Sequence, residues 1–121
     1  MSFLDQLQSV VSQVDGALAC TIMGFDGIAV ETHQVANAGD LDLASAWVEF
    51  ASILTQLKMA AEQLRAGVVS EVSINTDKVT AVMRPVSPEY FLVLALRPDG
   101  NFGKGRYLLR VVAPKLQAEI A

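Results

Sequence analysis

The chain has 121 residues, 52% of them hydrophobic, with 13 acidic side chains against 9 basic ones and a formal charge of -4. That length builds one domain and leaves no material for a second core of useful size, while the hydrophobic share argues against disorder. The acidic balance and the scattered basic residues argue against nucleic acid or an anionic membrane as the main partner.

From the N-terminus, Phe3, Leu4, Leu7, Val10, Val11 and Val14 recur at three- and four-residue spacing. They predict a short amphipathic helix with Ser2 as its N-cap and Asp15-Gly16 as its stop. Ala17 to Gly24 is almost continuously apolar, broken by Thr21, as in a strand buried on both faces. Phe25-Asp26-Gly27 is a turn signal, and Ile28 to Thr32 continues as a second strand. Asn37-Ala38-Gly39-Asp40 forms a loop, and Asp40 or Asp42 can cap the next helix.

That helix is long, from about Asp40 to Ala66, and ends at Gly67. Leu43, Trp47, Phe50, Leu54, Leu57, Ala61 and Leu64 share one stripe. On a wheel of about 100° per residue, Ser45, Glu49, Ser52, Gln56 and Gln63 fall within roughly 60°, which is the solvent face. The first half is otherwise apolar over about 200°, where one core needs little more than about 100°. Bulky Trp47, Phe50, Leu54 and Leu57 are expected on the sheet. The smaller Ala44, Val48, Ala51 and Thr55 leave room for a second helix to approach. An isologous pairing with a second copy would use this stripe, and cover by either terminal helix is the alternative.

Ser70 to Thr76 alternates as a half-exposed strand, with Val72, Ile74 and Thr76 on one face. Asp77-Lys78 turns the chain into a strand over Val79 to Arg84. Pro85 and Pro88 bracket a loop before Tyr90 to Leu96, a second continuous apolar run. A glycine-rich loop, 98–105, leads to a last helix carrying Tyr107, Leu108, Val111, Val112 and Leu116, with a kink or break expected near Val111 to Ala113 because of Pro114.

No catalytic constellation stands out. His33 is the one histidine and lacks a second ligand at metal spacing, so no metal is expected. Cys20 sits in an apolar strand, where a thiol is inert, and as the single cysteine it suits a reducing, cytoplasmic setting. Gly103-Lys104-Gly105-Arg106 lacks the spacing of a phosphate loop and reads as a flexible reversal. Met1 to Asp5 carries no basic stretch ahead of an apolar core, so no secretory signal is expected. Ser2 stands where myristoylation needs glycine. Apolar runs fall short of the roughly 20 residues of a membrane span.

Gly24-Phe25-Asp26-Gly27-Ile28-Ala29-Val30, the long helix after a short acidic loop, and Asn101-Phe102-Gly103-Lys104-Gly105-Arg106-Tyr107-Leu108-Leu109 entering the last helix resemble the roadblock / dynein light chain family over essentially the whole chain. The resemblance implies a single roadblock-like α+β domain over residues 1–121, ordered α-β-β-α-β-β-β-α. Its five-stranded antiparallel, profilin-like sheet lies between the long central helix and the two terminal helices. It also implies a homodimer, or a heterodimer with a paralogue, in which the central helices pair and the third strands, here carrying Val72 and Ile74, join edge to edge. The family regulates or scaffolds small Ras-like GTPases, including the partners of a gliding-motility GTPase, and other members link dynein to cargo. This chain is then a non-enzymatic platform without cofactors, with Gln56, Met59, Glu62 and Gln63 as GTPase contacts. Arg65, Arg84, Arg97, Arg106 and Arg110 are equally explained by solvation, so positioning of the GTPase switches is favoured over an arginine supplied to phosphate. A structural adaptor without a GTPase is one alternative. A profilin-like ligand sensor is another, but it would have only Thr21, Cys20 and Thr80 as inward polar groups.

Overall fold

The computed structural model describes residues 2–35 and 42–120. Helix α1 (Phe3–Gln13) leads to strands β1 (Ala17–Gly24) and β2 (Ala29–Gln34). Helix α2 (Leu43–Gln63) follows, then strands β3 (Val72–Asn75), β4 (Thr80–Pro85) and β5 (Tyr90–Leu96), and helix α3 (Phe102–Ile120). The strands form one five-stranded sheet in the order β2-β1-β5-β4-β3, antiparallel throughout. The expected element order is the observed one. The loop expected over Asn37 to Asp40, with Asp40 as a cap, lies outside the described residues.

The two continuous apolar runs become the two central strands. In β5, Leu92, Leu94 and Leu96 join Cys20, Ile22 and Val82 beneath α1 and α3. Phe91, Val93 and Ala95 face the other way and join Ala19, Met23, Ala81 and Met83 beneath α2. Alternate side chains of one strand point to opposite faces, so a strand between two helical layers must be apolar at every position. Full burial of each such Leu or Phe side chain contributes about 1.5–3 kcal/mol. The interior polar groups are paired within the chain: the Thr21 and Thr32 hydroxyls lie 3.1 Å apart, and Thr80 Oγ1 donates to Asn75 Oδ1 at 3.0 Å. Burial pushes the Cys20 thiol up to about 12, against a smaller opposing pull from a backbone hydrogen bond at Thr21.

Local chemistry sets the element ends. Ser2 caps α1 through a reciprocal box: its Oγ accepts from the Asp5 N–H at 3.2 Å, and Asp5 Oδ2 accepts from the Ser2 N–H at 3.4 Å. After α1 the chain turns at Gly16, with φ +83°, where a Cβ would stand 2.6 Å from the Gly100 Cα. The turns before β1 and after β5 are thus clamped backbone to backbone. Arg97 N–H donates to Gly16 O and Asn101 N–H to Asp15 O, both at 2.8 Å.

Four expectations need correction. The long helix, expected to run to Ala66 and end at Gly67, stops at Gln63: Arg65 takes the left-handed conformation at φ +54°, and the Ala66 N–H donates back to Ala61 O at 2.8 Å. Residues 103–105 are not a flexible loop, because α3 begins at Phe102 and Gly105 lies in its first turn. A Cβ on Gly105 would come within 2.9 Å of Leu94 Cδ2, so glycine lets the helix sit directly on β5. Nor does Pro114 break α3, which runs on to Ile120. The proline removes one helical hydrogen bond, and burial of Val112, Ala113 and Leu116 on both sides of it offsets the loss. Finally, the apolar stripe of α2 is not buried along its length. Leu43, Trp47, Ala51 and Leu54 are buried, whereas Leu57 is 40% and Leu64 78% exposed. At about 1.5 Å per residue α2 extends about 31 Å, and its last buried residue is Leu54, so the second half of the helix carries no side chain into the core.

Gly105→Leu is expected to destabilise the fold by about 1–3 kcal/mol through overpacking against Leu94. Gly103→Ala, at an exposed helical position, should stabilise it by up to about 1 kcal/mol. Urea titration separates the two. At neutral pH Cys20 should stay unreactive to a thiol reagent until the chain is unfolded. Above the ordinary thiol value of 9.0 the unfolded state loses its proton first, so this group makes stability fall as pH rises toward about 12. Cys20→Ala should lack that part of the fall.

Candidate partner surface on the long helix and the sheet edge

Asp42 starts α2. Its Oδ2 accepts from the Ser45 hydroxyl at 2.7 Å and its Oδ1 from the Ser45 N–H at 3.2 Å. Those two bonds, the hydroxyl's first, hold the carboxyl below its ordinary value. The contribution of this cap is therefore present above the ordinary carboxylate range and is lost as pH falls below it.

The inner side of α2 is anchored by Trp47, whose ring centroid lies 5.7 Å from that of Phe50, and by Leu54, which is fully buried. The solvent face is as the wheel predicts: Ser45, Glu49, Ser52, Gln56 and Gln63 are all exposed. Between the two faces runs the small-residue stripe. Ala44 is exposed, Val48 is 51% exposed, and Thr55 is half-buried with its hydroxyl donating to Ala51 O at 2.9 Å. Ala51 itself is 2% exposed and packs on the sheet, so within one chain it belongs to the core as much as to the stripe. Val48, Thr55 and Gln56 form one wall of a shallow groove of about 360 Å³. The turn Phe25-Asp26-Gly27 forms the other. That turn is held by the Ile28 N–H donating to Asp26 Oδ1 at 3.0 Å and by φ +89° at Gly27. Lys58 Nζ lies 3.7 Å above the Phe25 ring and ties the turn to the helix.

Beyond the core, Gln56, Met59, Glu62 and Gln63 are all exposed, Met59 at 55%. They occupy the second half of α2. Strand β3 is the far edge of the sheet and pairs with β4 alone among the described residues. Val72 and Ile74 are half-buried on the α2 side, while Ser73 and Asn75 are exposed. The helix stripe borders the β1–β2 turn, while the open strand β3 is the opposite edge of the same sheet. Terminal helices α1 and α3 lie against the opposite face of the sheet and cannot cover the stripe.

Several exposed apolar residues escape a reading of periodicity: Ile28 at 66%, Val30 at 46%, Ile53 at 41% and Val68 at 93%. Val30 is exposed because β2 is the other edge of the sheet, a fact decided by long-range pairing. Val68 follows Gly67 (φ +98°), beyond the end of α2 at Gln63, and no periodic element surrounds it to signal its exposure. The residues weighed for chemistry stay apart. His33 is paired in register with Cys20 across β1 and β2, and Arg97 Nε meets Asp99 at 3.4 Å on the surface. No group of three or more His, Cys, Asp or Glu gathers at metal distance among the described residues, and none of the described helices is long and apolar enough to cross a membrane.

No protein-family model matches the chain, and no curated protein sequence matches it. Solved structures do. MglC from Myxococcus xanthus is 66% identical over 98% of this chain and 99% of that one, with a TM-score of 0.72. A Roadblock/LC7 domain from Streptomyces avermitilis is 12% identical over 99% and 98% of the two chains, with a TM-score of 0.85. The gliding protein MglB from Thermus thermophilus is 16% identical over 97% and 88%, with a TM-score of 0.83. The last two share the fold, and the first shares two thirds of the sequence as well. By element order, sheet topology and this likeness, the chain belongs to the roadblock/LC7 family.

Proposed function

We propose that the chain is a non-catalytic platform that pairs with a second copy of itself, or with a paralogue, and in that form binds and regulates or scaffolds a small Ras-like GTPase. The observation that carries the reading is the outer side of α2. There Ala44, Val48 and Thr55 border the buried Ala51 and remain without cover from α1 or α3. Small side chains let two such helices approach closely, and a two-fold axis lets each supply the same patch to the other. The edge strand carrying Val72 and Ile74 pairs with β4 alone among the described residues, and joining it to its copy would extend one sheet across both chains.

Gln56, Met59, Glu62 and Gln63 remain outward on such a pair, on the half of each helix that no core needs. A polarizable Met among amide and carboxylate side chains is suited to a protein surface rather than to a small ligand. The GTPase is regulated by contact with its switch segments. Arg106 and Arg110 belong to α3, away from this surface. Arg65, by contrast, shares a groove with Lys58 and Glu62 on it and is the arginine placed to reach a GTPase held there; positioning of the switches remains the favoured mode. Membership of the roadblock/LC7 family and likeness to a gliding protein support the same partner class.

Light scattering should give about twice the 13.0 kDa chain mass, and Val48→Asp should reduce it to that of one chain. An unchanged size would place the seam elsewhere. The double variant Met59→Ala, Gln63→Ala should keep the dimer and bind a Ras-like GTPase of the same genome about tenfold more weakly by calorimetry. Unchanged affinity would remove these residues from the contact.

A further inference from the structure

The opposite face of the molecule carries a feature that the platform does not use. Three of the chain's 9 basic residues, Arg84, Arg106 and Arg110, line one open pocket of about 370 Å³ in a protein of net charge -4. The sequence spaces them far apart, and the fold assembles them. Gly103, Arg106, Tyr107 and Arg110 recur at three- and four-residue spacing on one face of α3. Arg84 comes from β4, two residues after Val82, which faces the same helix.

One carboxylate already sits there. Glu71 Oε2 accepts from Arg106 Nε at 2.8 Å and lies 2.6 Å from Nη2. That pairing demonstrates the chemistry the pocket favours, a carboxylate oxygen on a guanidinium fork. Arg110 rests over the Tyr107 ring at 5.5 Å, and neither it nor Arg84 has a carboxylate partner among the described residues. Two guanidinium groups are therefore left over. Next to the pocket, and sharing Arg84 and Ser70 with it, runs a mostly apolar groove of about 450 Å³ along Val69, Pro85, Val86 and Pro88, bounded by Lys58 of α2.

We propose that the pocket and its groove bind an acidic segment of a partner protein, with carboxylates on Arg84 and Arg110 and a neighbouring apolar side chain in the groove. A free phosphate would satisfy the guanidinium groups but leave the groove empty, and a purely apolar segment would leave the arginines unpaired. The arginine pocket lies against α3, and the groove runs from it to Lys58 of α2, whose ammonium adds a further cation at the far end. The inference stands apart from the GTPase reading, because its test uses neither a GTPase nor the dimer.

The probe is a short fluorescent peptide of glutamates around one leucine, followed by anisotropy. The wild-type chain should bind it, more weakly as salt rises, and should not bind the same peptide with glutamine for glutamate. Arg84→Gln with Arg110→Gln should weaken binding about tenfold or more, whereas Arg65→Gln with Lys115→Gln, outside the pocket, should change it less than about twofold. Replacing the leucine by serine should also weaken it. Should the double variant unfold, the exposed single change Arg110→Glu tests the same site and should weaken binding at least as much as the loss of one charge pair. The proposal is overturned by failure to bind the glutamate peptide, by equal affinity for the glutamine peptide, by variants that bind as the wild type does, or by inorganic phosphate binding where the peptide does not.

Discussion

Pairing of β1 with β5 is the constraint on which the rest of the molecule rests. The register runs from Ala17 opposite Leu96 to Gly24 opposite Tyr90, and nearly every side chain along it is buried. A ladder buried on both faces must be covered on both, by α1 and α3 on one side and α2 on the other. It also joins an N-terminal hairpin, β1–β2, to a C-terminal meander, β3–β4–β5. Removing either central strand would leave two fragments, each with one layer and no partner for its apolar face. The clamp between Gly16 and Gly100 closes the same junction from its end, where a side chain at either position would force the two turns apart.

That division into two layers gives the protein two unlike surfaces. On the α2 side, side chains are small or apolar and a strand edge is open, which suits association with a like surface. On the α3 side, arginines gather around a single glutamate beside a proline-lined groove, which suits a segment of opposite charge. Cys20 is fully buried in the core, His33 belongs to no group of metal-ligating side chains among the described residues, and the hydroxyls of Thr21 and Thr80 are paired internally.

The elements and their order were legible in the sequence because each is announced by a local signal. Ser2 with Asp5 marks a helix start, Asp26-Gly27 a hairpin, and the unbroken runs 17–24 and 90–96 mark strands covered on both faces. What the sequence concealed depends on distance in space. Periodicity alone assigns Leu57 and Leu64 to the same stripe as Leu54, yet burial of the helix ends with Leu54. Gly105 reads as loop until Leu94 is found 2.9 Å from its missing Cβ. Pro114 reads as a helix breaker until Val112 and Leu116 are seen anchoring the helix on either side. The arginine pocket draws on three separate segments, and no spacing rule links Arg84 to Arg110. The stripe on α2 was legible as surplus, and Ala51 within it proved to serve the core as well.

The distance in sequence between the two central strands has a consequence for how the chain is made. The meander β3–β4–β5 closes through short local turns, so its ladder can form as soon as it exists. Strand β1 has no such option on its inner edge, because its partner there ends at Leu96. During synthesis from the N-terminus, an apolar strand with one open edge must wait for most of the chain to emerge before that edge is filled. Non-local closure of this kind slows folding and exposes the nascent chain to pairing with the wrong strand. The ladder that gives the finished protein a core on each face of its sheet thus makes its unfinished form the more vulnerable one.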